Sequence, residues 1–269
     1  MANPEIALTM WRLGADVQAE TLDGPIIFGP AHDKAFLPIL EDCLKNGGDA
    51  NAHMKYSEEN TFGFACKHYN VPAVKLLLKH CNYNSLTIGL RGWAWGYSLT
   101  KSDVPKDLDS VAEVFEILCS TSIIFKDALK RKIGGLEVWA GVLSNEPIRF
   151  KTELLLKSGA DINAKFEADS IGRTYTPILS CRCKSDLEFL ISRGADPYFV
   201  SDDGYSLLHK IAQIGPISKD VLEKIGSNSI PKFPTEHLEK FPEDCISEYL
   251  KTDERNLIIE QIKFLERRN

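Results

Sequence analysis

Cys181-Arg182-Cys183, Cys66-Lys67-His68 and His80-Cys81 set reactive side chains side by side. Two thiols one residue apart could supply half of a zinc site, and a cysteine beside a histidine could supply a nucleophile and its base. Neither reading goes far. A zinc site needs two more ligands, and on the helix expected there a single spacer turns Cys181 and Cys183 to different faces. Cys66, His68, His80 and Cys81 fall where the surrounding pattern asks for packing residues. No Gly-rich phosphate loop, His-Glu-x-x-His or Gly-x-Ser-x-Gly occurs. We therefore expect no catalytic residue, no metal and no cofactor. The seven cysteines form an odd set lying mostly in apolar stretches such as PILEDCL, as expected of buried thiols in a reducing compartment.

A different chemistry is written in the aromatic residues. Arg91, Trp93, Trp95 and Tyr97 fall together in LRGWAWGYS, while Tyr56, Phe166, Arg173, Tyr175, Tyr198 and Phe199 lie near expected turns. Aromatic and arginine anchors carry much of the energy of protein interfaces, so these ten are the candidate partner-binding residues. The competing reading is that bulky residues fill the core, and it applies to at least one of the two tryptophans. Glu58-Glu59 and Asp202-Asp203 add negative charge at turns, which solvated turn chemistry explains equally well.

What positions these residues is a recurring phrase. An apolar helix followed by Gly, a small residue and Asp occurs at Gly14-Ala15-Asp16, Gly47-Gly48-Asp49, Gly159-Ala160-Asp161 and Gly194-Ala195-Asp196. The intervals are 33 residues between the first two and 35 between the last two. Degenerate copies fill the gap, with Cys81 and Thr121 at the glycine position, and a weak last copy lies around Gly226. A period near 33 residues is the length of a β-turn plus two helices. The glycine can end a helix with φ > 0, and the Asp can tie the following turn. About 12 residues later a second signal opens the next helix pair, most clearly at Ser206-Leu207-Leu208-His209 and Thr176-Pro177-Ile178-Leu179, with a worn copy at Asp23-Gly24-Pro25.

Over roughly residues 5 to 226 these phrases resemble the ankyrin repeat family, whose recurring motifs are T-P-L-H-x-A and L-L-x-x-G-A-D-V-N-A. The resemblance implies an all-α, ankyrin-type repeat solenoid of stacked helix-turn-helix units with short β-hairpin fingers, binding a protein through fingers and first helices. It places Arg91, Trp93, Trp95 and Tyr97 at the start of a first helix, and gives His209 a hydrogen-bonding role at a hairpin-helix junction. Stacking also follows from physics, since one unit cannot cover its own apolar face.

The pattern has departures. Residues 3 to 13 form a half repeat that we read as a cap. LTKSDVPKDLDS and GVLSNEPIRFKTE lengthen loops between paired helices, and residues 161 to 176 lengthen a finger. After 226 the chain changes character, so we divide it into a repeat array, 1–226, and a C-terminal helical cap, 227–269, of two or three helices. Leu257, Ile258, Ile262 and Leu265 follow helical spacing there. The stretch FPTEHLEKFPEDCISEYL distantly resembles the start of an F-box, which would imply an adaptor recruiting a ubiquitin ligase.

Composition bounds the function. Of 269 residues 43% are hydrophobic and 26% charged, values of a folded chain. A net charge of -6 with short basic runs argues against nucleic acid and favours a neutral or basic protein partner. The N-terminus lacks a basic leader and no apolar run is long enough for a membrane, so we expect a cytoplasmic protein, monomeric without its partner. The leading expectation is a non-enzymatic inhibitor or scaffold, such as an immunity protein or secreted effector. The adaptor follows it, and an enzyme hidden in the degenerate middle ranks last.

Overall fold

Each leucine-rich helix of the strong repeats stops at a glycine. Gly14, Gly47, Gly159 and Gly194 have φ of 89°, 91°, 84° and 96°, a region that side chains with a Cβ rarely enter. The computed structural model describes residues 4–16, 19–21, 24–96, 107–120, 138–145, 147–167, 174–227, 229–231, 241–246 and 250–267. Compactness divides the chain into two units, Met1–Ser158 and Gly159–Asn269. The change of sequence character at 226 falls inside the second.

The first unit opens with α1 (Pro4–Arg12), an antiparallel hairpin of β1 (Glu20–Thr21) and β2 (Gly24–Pro25), α2 (Phe28–His32), and a 3-10 turn, Lys34–Phe36, running into α3 (Leu37–Lys45). A bridge between His53 and Asn60 closes the next finger, followed by α4 (Thr61–Lys67), α5 (Val71–Leu78), α6 (Tyr83–Trp95), α7 (Leu108–Ser120), α8 (Val138–Ser144) and α9 (Ile148–Lys157). Leu40, Phe62, Leu77, Leu90 and Trp93 form its core.

The second unit begins with the hairpin of β3 (Phe166–Glu167) and β4 (Thr174–Tyr175), then α10 (Pro177–Ser180) and α11 (Lys184–Ser192). A bridge between Val200 and Ser206 leads to α12 (Leu207–Ile214) and α13 (Lys219–Ile225). A 3-10 turn, Pro242–Cys245, and α14 (Thr252–Leu265) pack on α12, and β5 (Ile230–Pro231) runs parallel to β6 (Glu266–Arg267). Ile258, Ile262 and Leu265 are buried while Leu257 is exposed, so three of the four residues with helical spacing face the core. Among the described residues the C-terminal region holds one short 3-10 helix, Pro242–Cys245, and one α-helix, α14.

The turns are tied as their chemistry requires. Asp49 accepts from the Asn51 amide and Asp161 from the Asn163 amide, both at 2.8 Å, and Asp196 from the Tyr198 amide at 2.9 Å. The asparagine two places on links one repeat to the next. Asn51 Oδ1 accepts from the Asn82 amide at 2.9 Å and from Ser85 Oγ at 2.6 Å, and its Nδ2 donates to the His80 carbonyl. Asn163 Oδ1 likewise accepts from the Asp196 amide at 2.7 Å.

Two expectations are corrected here. After Cys81 there is no finger. Asn82 accepts from the Ser85 amide at 2.9 Å and caps α6, which starts where a finger would, so Arg91, Trp93 and Trp95 sit at the end of a helix and not at its start. GVLSNEPIRFKTE is likewise no lengthened loop, because α8 and α9 are separated only by positions 145–147, where Pro147 starts the second helix. Of LTKSDVPKDLDS, residues 99–106 lie outside the described residues, as does Thr121. Asp107 caps α7 by accepting from the Ser110 amide.

Helices α4 and α6 touch backbone to backbone. A Cβ on Gly92 would lie 2.2 Å from the Gly63 carbonyl oxygen, and one on Gly89 would lie 2.4 Å from the Phe62 ring. Below them Lys151 is fully buried. Its ammonium donates to the carbonyls of Ala94 at 3.0 Å and Gly96 at 2.8 Å, and more weakly to that of Asn145. The Tyr69 and Trp93 rings flank it at 5.7 and 5.9 Å.

Candidate functional site

In the first unit the candidate site is built by one finger and two helices. The Met54 amide donates to the Glu59 carbonyl, closing a tight tip on which Tyr56 stands 85% exposed. From the base of that tip Glu58 accepts from Arg91 Nη1 at 2.9 Å and Glu59 from Lys67 Nζ at 3.1 Å. The acidic pair expected to charge the tip is therefore matched by cations from α6 and α4. Beneath lies a recess of about 200 Å³, lined by Ser57, Glu59, Lys67, Ile88, Arg91, Gly92, Trp95 and Asn145. Trp95 is half-buried. Its indole edge packs so closely on α8 that a Cβ on Gly141 would lie 2.5 Å from it, and its N–H is buried with no hydrogen-bond partner among the described residues.

Trp93 is corrected. It is fully buried against Phe115 at 4.5 Å, and its indole N–H donates to the Val111 carbonyl at 2.9 Å, so it packs the unit and offers nothing to a partner. Tyr97 lies outside the described residues.

The second unit holds its own aromatic group. Phe166 is buried, which removes it from the candidate surface. Tyr175 is half-buried at 6.0 Å from Tyr205, and Tyr205 stacks on His209 at 5.2 Å. Tyr205 escaped the sequence reading, although it stands immediately before the recognised Ser206 cap. Tyr198 is 45% exposed while its hydroxyl donates to the Ile225 carbonyl at 2.9 Å, and Lys165 stands 5.2 Å over the half-buried Phe199 ring. Arg173 lies outside the described residues. His209 Nδ1 meets the Ser206 amide at 3.2 Å and hydroxyl at 3.1 Å, the junction role that the resemblance implied. Asp203 is buried and pairs with the Ser201 hydroxyl, which makes it a turn residue and not a charged tip.

The residues that opened the search for chemistry are dispersed. Cys181 and Cys183 lie between α10 and α11, not on a helix. Cys181 is buried, whereas Cys183 is exposed and reaches Asp186 at 2.9 Å. No disulfide joins the seven cysteines, all of them described, and among the described residues no three His, Cys, Asp or Glu side chains cluster for a metal. Burial pushes the thiols of Cys43 and Cys119 up to about 11, those of Cys81 and Cys181 to about 12, and Cys66 well above its ordinary value. None of these five is a thiolate at neutral pH. His68 is held down at about 4 by burial, with His32 and Lys67 adding to the effect. The stretch resembling an F-box falls mostly outside the described residues, and no helix among the described ones is long and apolar enough to cross a membrane.

No protein-family model and no curated protein matches the sequence. Among solved structures, the chain is similar to the human ASB11 ankyrin repeat domain, with a TM-score of 0.50 and 14% identity over 76% of this chain and 85% of that one. The ankyrin repeat domain of Bcl-3, a member of the IkappaB protein family, aligns over 96% of this chain and 91% of its own at 14% identity, but its TM-score of 0.38 adds no weight. At such identity likeness speaks to fold alone, and it agrees with the glycine-ended helix pairs, the fingers and the Asp-tied turns. The fold is that of an ankyrin repeat protein.

Proposed function

We propose that the chain is a non-enzymatic protein-binding module, with residues 1–226 as repeat array and 227–269 as cap, acting as an inhibitor or scaffold by covering a partner's surface. The observation that carries this reading is the finger tip of the first unit. Tyr56 is 85% exposed on the finger that also gives Ser57 and Glu59 to a recess lined by Arg91 and Trp95, where folding gives no reason to expose an aromatic ring. In the second unit the half-buried Tyr175 and Phe199 and the exposed Tyr198 remain candidate contact residues. The net charge of -6 favours a neutral or basic partner.

The test compares two double variants, Tyr56→Ala with Arg91→Ala, and Lys79→Ala with Lys157→Ala, in titrations against the partner recovered by the wild-type chain. The first pair should weaken binding by at least about 2 kcal/mol, roughly thirtyfold, with circular dichroism unchanged. The second pair carries exposed lysines away from the finger and should bind like wild type. If the lysine pair abolishes binding and the finger pair does not, the recognition surface lies elsewhere.

A further inference from the structure

Two imidazoles meet where α2 and α4 pack on each other. His32 is the last residue of α2 and His68 the C-cap of α4, so both side chains leave from fixed backbone. They stand about one repeat apart in sequence, and their ring centroids are 5.7 Å apart. Phe64 packs edge to face on Phe28 at 5.8 Å and on His68 at 4.5 Å, which holds the helices and the second ring in place. Both histidines are half-buried, so solvent reaches the pair. A carbonyl only accepts, so His32 donates its Nδ1–H to Gly29 and keeps a lone pair on Nε2. A backbone carbonyl that holds one nitrogen while the other keeps its lone pair is the arrangement that orients a metal ligand. Among the described residues none hydrogen-bonds the His68 ring, which leaves it a nitrogen to offer.

We propose that His32 and His68 form a two-imidazole site for a divalent late transition cation, zinc or nickel, that bridges two repeats. Distance supports a shared ion. An imidazole nitrogen binds zinc at about 2.0–2.1 Å with the ring centroid roughly 1.1 Å behind it, so two rings on one tetrahedral ion stand about 5.2 Å apart. The observed separation exceeds this by about half an ångström, which small changes in χ1 and χ2 supply. Imidazole suits these ions, whereas calcium and magnesium require oxygen donors. The flanking charges do not oppose a cation, because Lys67 reaches Glu59 at 3.1 Å and Asp33 directly follows His32. Among the described residues no third His, Cys, Asp or Glu joins the pair, so water fills the remaining positions. Such a site takes up added metal and stabilises the fold only as it fills. The sequence pointed to no metal, since neither motif nor short spacing pairs His32 with His68.

Isothermal titration calorimetry of zinc chloride and of nickel chloride with the full chain tests the proposal. A saturable site is expected, together with a thermal midpoint that rises as metal is added. His32→Gln and His68→Gln should each remove both effects, with circular dichroism unchanged. His53→Gln, His80→Gln and Cys183→Ser should change neither. X-ray absorption at the zinc edge of the wild-type chain counts ligands without any variant, and so stays informative if a histidine variant folds poorly. Two imidazoles and no sulfur are expected there. A chain that shows no saturable binding overturns the proposal. So does binding that survives both histidine variants, binding lost with Cys183→Ser, or a zinc spectrum that contains sulfur.

Discussion

The repeat beginning at Gly47 and the one beginning at Cys81 lie 34 residues apart in one unit, yet they leave their outer helices differently. After α3, Gly47 takes positive φ, Asp49 ties the turn, and the chain travels out along a finger before returning at Asn60 to cap α4. After α5 there is neither the glycine nor the aspartate, and Asn82 caps α6 at once. A finger is therefore a product of turn chemistry and not of repeat length. The fingerless repeat compensates in two ways. It borrows Asn51 from the preceding finger to hold its helix start, and it brings α6 against α4 through bare glycines.

The largest expected effect attacks that contact. Gly92→Ala places a methyl 2.2 Å from the Gly63 carbonyl oxygen, and two backbones must part to admit it. We expect a loss of about 3 kcal/mol in urea unfolding. Gly194→Ala has open space around it and only strained φ to bear, so about 1 kcal/mol is expected. Equal costs would show that backbone contact does not hold the fingerless repeat. Next comes the borrowed asparagine. Asn51→Ala strips partners from three groups beyond its own finger, at His80, Asn82 and Ser85, and should cost about 2 kcal/mol, against about 1 kcal/mol for Asn163→Ala, which serves two. Thermal midpoints of the two variants compare them directly, and the reverse ranking would remove Asn51 from its proposed role. Asp161→Ala should cost about 1 kcal/mol through its turn, and no measurable loss would speak against the turn as the origin of the finger.

The smallest effect at neutral pH concerns His68, at the junction of α4 and α5. Its folded pKa of about 4 lies below the ordinary 6.5, so the unfolded chain binds a proton that the folded one refuses. The stability is fully present above pH 6.5 and is lost as pH falls toward about 4. His68→Gln should flatten that slope in denaturation curves taken across the same range, while changing little at pH 7.5. An unchanged slope would assign the acid sensitivity to other groups.

Short-range backbone chemistry was the legible part of this fold. The glycines that end helices, the aspartates that tie turns and the Ser206–His209 cap all act within a few residues and leave a compact trace. The missing finger was harder to see, because Asn82 serves a turn and a helix cap equally well on sequence grounds. Trp93 could not be placed, since the carbonyl that receives its N–H belongs to Val111, 18 residues on. Two signals were present and unread. Gly89 and Gly92 are one turn apart in a helix that also carries two tryptophans, the spacing of a close helix crossing. Glu58 and Arg91, opposite in sign, stand 33 residues apart, one repeat along the stack.

Lys151 has a consequence for how this chain can change over generations. Among the described residues, three carbonyl oxygens from the ends of α6 and α8 converge on one ammonium. Arginine presents a flat fork instead of a compact point, and methionine or glutamine would leave acceptors stranded in an apolar interior. No single replacement serves all three oxygens, so drift at this position must wait for changes at both helix ends. Among relatives, the lysine and the two helix termini should therefore be inherited as a block, surviving in sequences whose exposed finger tips have diverged beyond recognition.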